Sequence, residues 1–172
     1  MAKEIVRTPW GIAQEIIQIS RYITLYHTAG HGGYKISDTY QKIIPESWRV
    51  EGGWYEEDCD SLIVEYFFYD LIKPKMDKAE IKEQAKEVLD ITFPDEKTLE
   101  EKVAILDKLI HAEWGYMDED DMNYLTLSEE HEYVYFNHFR SAYKKGKHWE
   151  EFDKYEFEIF YQKTIRIYAL DS

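Results

Sequence analysis

Two short stretches hold most of the side chains able to do chemistry. The first is Tyr26-His27-Thr28-Ala29-Gly30-His31-Gly32-Gly33-Tyr34, and the second is Gly52-Gly53-Trp54-Tyr55-Glu56-Glu57-Asp58-Cys59-Asp60. Two imidazoles with a thiolate or carboxylate would satisfy zinc, so His27, His31 and Cys59 form a candidate metal set, with Glu56 to Asp60 within reach. A four-residue histidine spacing places both rings on one helix face, but Ala29-Gly30 between them reads as a loop. The candidate catalytic residues are His27, His31, Glu57, Asp58 and Cys59. Cys59 beside a histidine would be an activated nucleophile, and Glu57 or Asp58 with His31 would be an acid–base pair. The acids flanking Cys59 oppose the first of these by raising its pKa. The plain alternative is structural: histidines and carboxylates hydrogen-bond across turns, glycines serve those turns, and tryptophans pack beneath. The sequence favours that alternative, so it assigns no catalytic or metal-binding residue and no cofactor.

A second group is purely acidic. Residues 118–132 carry seven acids and no Lys or Arg, beginning Asp118-Glu119-Asp120-Asp121 and continuing through Glu129 and Glu130. The alternating spacing of a calcium-binding loop is missing. Such a run is either a solvated loop or a phosphate-like array that competes for a basic nucleic-acid channel on a partner protein.

The elements that must position these groups form an α+β pattern. Thr8-Pro9-Trp10-Gly11 reads as a turn. A strand, a turn near Ser20-Arg21 and a strand to His27 follow, with a helix over 13–19 as the competitor. Gly30 to Gly33 cannot sit comfortably inside a regular element, so a hairpin turn there pairs residues 22–28 with 33–37. Ser37 or Asp38 caps a short helix ending before Pro45. Residues 56–73 read as a central helix, apolar nearly all round, with a buried strand over 62–69 as the alternative. Asp77 and Glu80 resemble a capping box for a helix that stops near Pro94, and another helix runs from Lys97 to Trp114. A further helix is expected from Ser128 to Lys145. Tyr155, Phe157, Ile159 and Tyr161 alternate, which predicts a C-terminal strand or hairpin.

Composition bounds the rest. The 172 residues are 44% hydrophobic, enough for one core, and a single domain over 1–172 is expected. Aromatic residues make up 16%, an excess that suits either a core or a protein-binding surface. The net charge of −14 argues against direct binding to nucleic acid or anionic lipid and favours a basic partner. A lone cysteine fits a reducing compartment, and with no leader and no long apolar run the chain reads as cytoplasmic.

The blocks Pro9-Trp10-Gly11, His27-Thr28-Ala29-Gly30-His31-Gly32-Gly33 and Gly52-Gly53-Trp54-Tyr55-Glu56-Glu57-Asp58-Cys59 resemble an uncharacterised bacterial domain carried on plasmids, phages and other mobile elements, over residues 8–73. That resemblance implies genetic context rather than an activity, since accessory proteins of mobile elements often counter host defence. With the charge and the acidic run, it yields the expected function: an interaction protein that binds and inhibits a nucleic-acid-handling host protein, such as a restriction or CRISPR nuclease, by occupying its basic surface. Asp118, Glu119, Asp120, Asp121, Glu129 and Glu130 would make that contact. The alternative is a small hydrolase or metal-binding enzyme built on the histidine and Glu56–Cys59 motifs.

Overall fold

The computed structural model describes residues 4–114, 136, 137, 140 and 154–170. The chain packs as two compact units, 1–94 and 95–172. Strands and helices are both present, as the α+β pattern predicts.

The first unit opens with a small hairpin of β1 (Arg7–Thr8) and β2 (Gly11–Ile12), turned through Pro9-Trp10. Thr8 Oγ1 donates to Gly11 O at 2.9 Å and accepts from the Trp10 amide at 3.2 Å, which fixes the turn. A four-stranded antiparallel sheet follows in the order β3 (Glu15–Ser20), β4 (Ile23–His27), β5 (Gly32–Ile36), β6 (Trp54–Glu56). The strand–turn–strand expectation for residues 15–27 therefore holds, and the competing helix does not form. The expected pairing of 22–28 with 33–37 forms, with Gly33 opposite Tyr26, and it extends to Gly32, which lies inside β5 rather than in the turn. The turn is Thr28 to His31, closed by the Thr28 amide donating to His31 O at 2.8 Å.

Ser37 caps α1 (Asp38–Gln41) through its side chain. Gly52 and Gly53 then both adopt φ of 75°, and a Cβ on Gly53 would come within 2.3 Å of Ile36 O. Glycine alone lets the chain turn there and press onto β5. The predicted helix over 56–73 is corrected at both ends. Trp54 to Glu56 pair with β5, residues 57–60 form a turn, and α2 spans only Ser61–Phe67. A break at Phe68 separates it from α3 (Tyr69–Ile72), which ends on a left-handed Lys73. The acids are therefore absent from the first turn of α2, because β5 offers Glu56 and its neighbours a strand partner. The apolar character of α2 holds: Leu62, Ile63, Val64 and Tyr66 are all buried.

The capping box of α4 (Lys78–Leu89) is complete, with Asp77 accepting from the Glu80 amide and Glu80 accepting from the Asp77 amide. This helix stops earlier than Pro94, at a left-handed Asp90. Its Ile81 and Ala85 join Leu62, Tyr66 and Phe93 in one core, where Tyr66 and Phe93 stack at 3.9 Å. The inner face of the sheet supplies Ile23, Tyr34, Ile36 and Tyr55, all buried.

The second unit contains α5 (Leu99–Trp114) and α6 (Lys154–Leu170). Thr98 and Glu101 exchange backbone-to-side-chain hydrogen bonds at the start of α5, a second capping box one residue after the expected start at Lys97. Val103, Leu106 and Ile110 pack with Phe136, Phe157 and Tyr161. The predicted C-terminal strand is thus a helix: Phe157, Tyr161 and Thr164 are buried at helical spacing, and no Gly, Pro, Asn or Asp lies between 154 and 170 to turn a hairpin. Lys102 Nζ meets Glu158 Oε2 at 2.5 Å across the two helices. Most of the helix expected over 128–145 lies outside the described residues. Among the described residues no helix is long and apolar enough to cross a membrane.

Candidate functional site

The period of two in a strand divides the motif residues between the two faces of the sheet. Register pairs Tyr26 with Gly33 and Gly33 with Glu56, so these three share one face. Lys35 and Trp54 are paired on the same face. His27 pairs with Gly32 and with Glu15, and the Glu57 amide donates to Gly32 O at 3.0 Å, which puts Glu15, His27, Gly32 and Glu57 in a row on the opposite face. Adjacent acids Glu56 and Glu57 consequently serve different neighbourhoods.

On the outer face, His31 stands at the mouth of the hairpin beside the end of β6. Its Nδ1 lies 3.4 Å from Glu56 Oε1 and 3.8 Å from Asp58 Oδ2. One ligand atom from each of the three lies within 4.8 Å of the others, close enough for all three to reach one ion, and among the described residues this is the one such group. The separations are informative. A charge-assisted hydrogen bond would draw imidazole and carboxylate to about 2.7–2.9 Å. Donors held about 2.0–2.2 Å from a zinc-like ion in tetrahedral directions stand about 3.4 Å apart. The His31–Glu56 pair stands at that spacing, and the His31–Asp58 pair is wider at 3.8 Å. His31 and Asp58 are exposed and Glu56 is half-buried, so the outer side of the group is open to solvent.

Aromatic packing holds this corner in place. Trp10 lies over Gly33: a Cβ there would come within 2.5 Å of Trp10 Cη2 and 2.1 Å of Tyr55 O. Trp10 meets Trp54 edge to face at 5.7 Å, and Tyr26 approaches Trp54 at 5.2 Å. Lys35 Nζ sits 5.1 Å over the Trp54 ring and donates to Gly52 O. The Pro-Trp-Gly, His-Gly-Gly and Gly-Gly-Trp blocks, separate in sequence, therefore meet on one surface beside Glu56.

On the other face, His27 Nε2 lies 3.9 Å from Glu15 Oε2. Gly32 leaves room for its neighbours, since a Cβ would come within 2.8 Å of Glu57 Oε2 and 3.2 Å of His27 Nδ1. The candidate metal set His27, His31 and Cys59 is not the one the fold assembles. His27 and His31 belong to opposite faces, and Cys59, though half-buried, does not join the His31 group. Burial pushes the Cys59 thiol up, and the carboxylates of Asp60, Glu56 and Asp58 push it further, while the Asp60 amide opposes them. That environment disfavours the thiolate a nucleophile needs. Of the candidate catalytic residues, His31 and Asp58 come together with Glu56, and His27 and Glu57 form a second neighbourhood. Glu56, noted in the sequence only as a neighbour, becomes a principal member. Strand alternation was the signal that would have found it. The acidic candidates Asp118, Glu119, Asp120, Asp121, Glu129 and Glu130 lie outside the described residues.

No curated protein and no solved structure matches this chain. A family match covers residues 3–116, well beyond the 8–73 over which the motif resemblance was drawn, and so takes in α4 and α5 as well as the sheet. The chain belongs to DUF7007, a family described as a domain of unknown function.

Proposed function

We propose that the sheet corner of this domain is a divalent-cation site that serves a hydrolytic reaction, with His31, Glu56 and Asp58 as its protein donors. The observation that carries the reading is the convergence of those three side chains, with the carboxylates 3.4 and 3.8 Å from His31 Nδ1, on an open surface. One imidazole and two carboxylates suit a borderline ion of the zinc or manganese kind. Three protein donors leave positions for water and a substrate oxygen, which is the arrangement of catalytic rather than structural sites. The chain's own residues orient the donors: the His31 amide donates to Thr28 Oγ1 at 3.2 Å, and β5–β6 pairing holds Glu56.

The test is elemental analysis of tag-free protein and calorimetric titration with Zn²⁺ and Mn²⁺. One ion per chain is expected, weakened at least about tenfold by His31→Ala or Asp58→Asn and unaffected by Cys59→Ser or His27→Ala. Absence of binding would return the group to a surface ion pair worth about 0–1 kcal/mol. The hydrolytic part requires turnover of a chromogenic phosphoester or carboxylic ester that His31→Ala abolishes.

A second reading rests on the net charge of −14 and the acidic run 118–132. In it the protein, carried by a mobile element and acting in the cytoplasm, occupies the basic surface of a restriction or CRISPR nuclease. Binding would weaken steeply with salt and disappear when Asp118 to Asp121 are changed to lysine. Salt-insensitive binding, or none, removes this reading.

A further inference from the structure

β3 is an outer strand of its sheet, paired with β4 and, among the described residues, with no strand on its other side. The β1–β2 hairpin reaches only its entry, where the Ala13 amide donates to Val6 O at 2.9 Å. The next amide, Gln14, points the other way and donates to His27 O at 2.8 Å. The β4–β5 register leaves His27 and Leu25 facing β3, so their partners Glu15 and Ile17 bond inward and the amides of Ile16 and Gln18 turn toward the free edge. Natural sheets blunt such edges with lysine, proline or very short strands. Glu15–Ser20 has six residues, no lysine and no proline, and its one irregularity is a bulge between Gln18 and Ser20.

The side chains there are apolar and exposed. Ile16 and Ile17 project from opposite faces and are 48% and 42% exposed, with Ile12 at 52% and Ile5 at 68% nearby. Ile5, Ile12 and Ile16 line an open cleft along this edge together with Glu4 and Glu15, and among the described residues no Lys or Arg lines it. The geometry points to β3 as a strand-addition site that takes an extended segment of a partner protein as a fifth strand. The free backbone groups recognise an extended chain. The isoleucines select alternating β-branched residues, and Glu4 with Glu15 select a lysine or arginine beside them. A second copy of this chain is disfavoured as the occupant, since it would bring the same glutamates and another net charge of −14 to the edge. The inference uses neither the cation site nor the acidic run, so it stands or fails separately from both.

The test uses the full chain labelled with ¹⁵N and the end-blocked peptide Lys-Ile-Thr-Val-Thr-Ile-Lys. The amide signals of Ile16 and Gln18 should shift and exchange more slowly on titration. The same peptide with Glu for Lys should bind at least about tenfold more weakly. Ile16→Pro should abolish binding, because it removes an outward amide without touching the β4 ladder. If that variant fails to fold, Glu4→Lys with Glu15→Lys provides the second arm and should reverse the preference between the two peptides. Equal binding of both peptides, shifts confined to other regions, or a stable dimer in sedimentation would each overturn the proposal.

Discussion

Gly33 is the residue on which the three motif blocks close. Its missing side chain admits the Trp10 ring from outside and the Tyr55 carbonyl from the neighbouring strand. Backbone cannot yield as a side-chain tip can, so Gly33→Ala should cost about 3 kcal/mol or more. Gly30, in the hairpin loop, has no positive φ and nothing within 4 Å of where a Cβ would stand, so Gly30→Ala should stay within about 0.5 kcal/mol. Urea denaturation of the two variants compares them directly, and equal stabilities would show that Trp10 does not occupy this seat. The contrast also marks where the sequence was readable. A run of glycines signals unusual backbone, and the inference to a turn was right for Gly30. It failed for Gly32, which like Gly33 serves close approach in an extended strand, and nothing in a single sequence distinguishes a glycine needed for its angles from one needed for its absence of side chain.

At the scale of elements, α2 binds to the sheet through a polar pair in an otherwise apolar layer. Tyr34 Oη donates to Glu65 Oε1 at 3.4 Å, and burial holds the Glu65 carboxyl above its ordinary value of 4.5, with the tyrosine hydrogen bond opposing the rise. Burial likewise raises the Tyr34 hydroxyl, and the Glu65 charge adds to it. Because the folded state takes up the Glu65 proton more readily than the unfolded chain, this group's contribution is fully present below pH 4.5 and is lost as pH rises through the raised folded value. Glu65→Gln keeps an acceptor for Tyr34 and removes the titration. The variant should therefore gain stability relative to the native chain between pH 4 and pH 7, read as the difference in urea midpoints. An unchanged difference would mean that Glu65 is solvated in the folded state. Asp60, raised by burial and by Glu56, leaves a residual slope of the same sign. Elements were legible where local chemistry announces them, as with Ser37, Asp77 and the apolar stripe of α5. They were misread where partners decide. Glu56 looked like the start of a helix until β5 claimed it, and Tyr155 to Tyr161 alternates like a strand while its length and lack of turn residues belong to a helix.

For the whole molecule, the compact units and the family match divide the chain differently. The units part between Pro94 and Asp95, whereas the match runs to residue 116 and so includes α5 without α6. Both the His31 group and the β3 edge lie in the first unit. The apolar face of α5 depends on the second: Val103, Leu106 and Ile110 are buried with Phe157 and Tyr161 of α6. Each such side chain is worth about 1.5–3 kcal/mol when buried, and left in water it drives association instead. Chains ending at Pro94 and at Tyr116 should therefore behave oppositely. The shorter one should unfold cooperatively and keep the Zn²⁺ affinity of the full chain, since none of its donors or supporting strands is lost. The longer one should bind hydrophobic dye and sediment as aggregates, although it contains the whole family match. If the longer chain were the well-behaved one, α5 would be packing on the motif-bearing unit, and the unit that folds would be the family domain itself rather than residues 1–94.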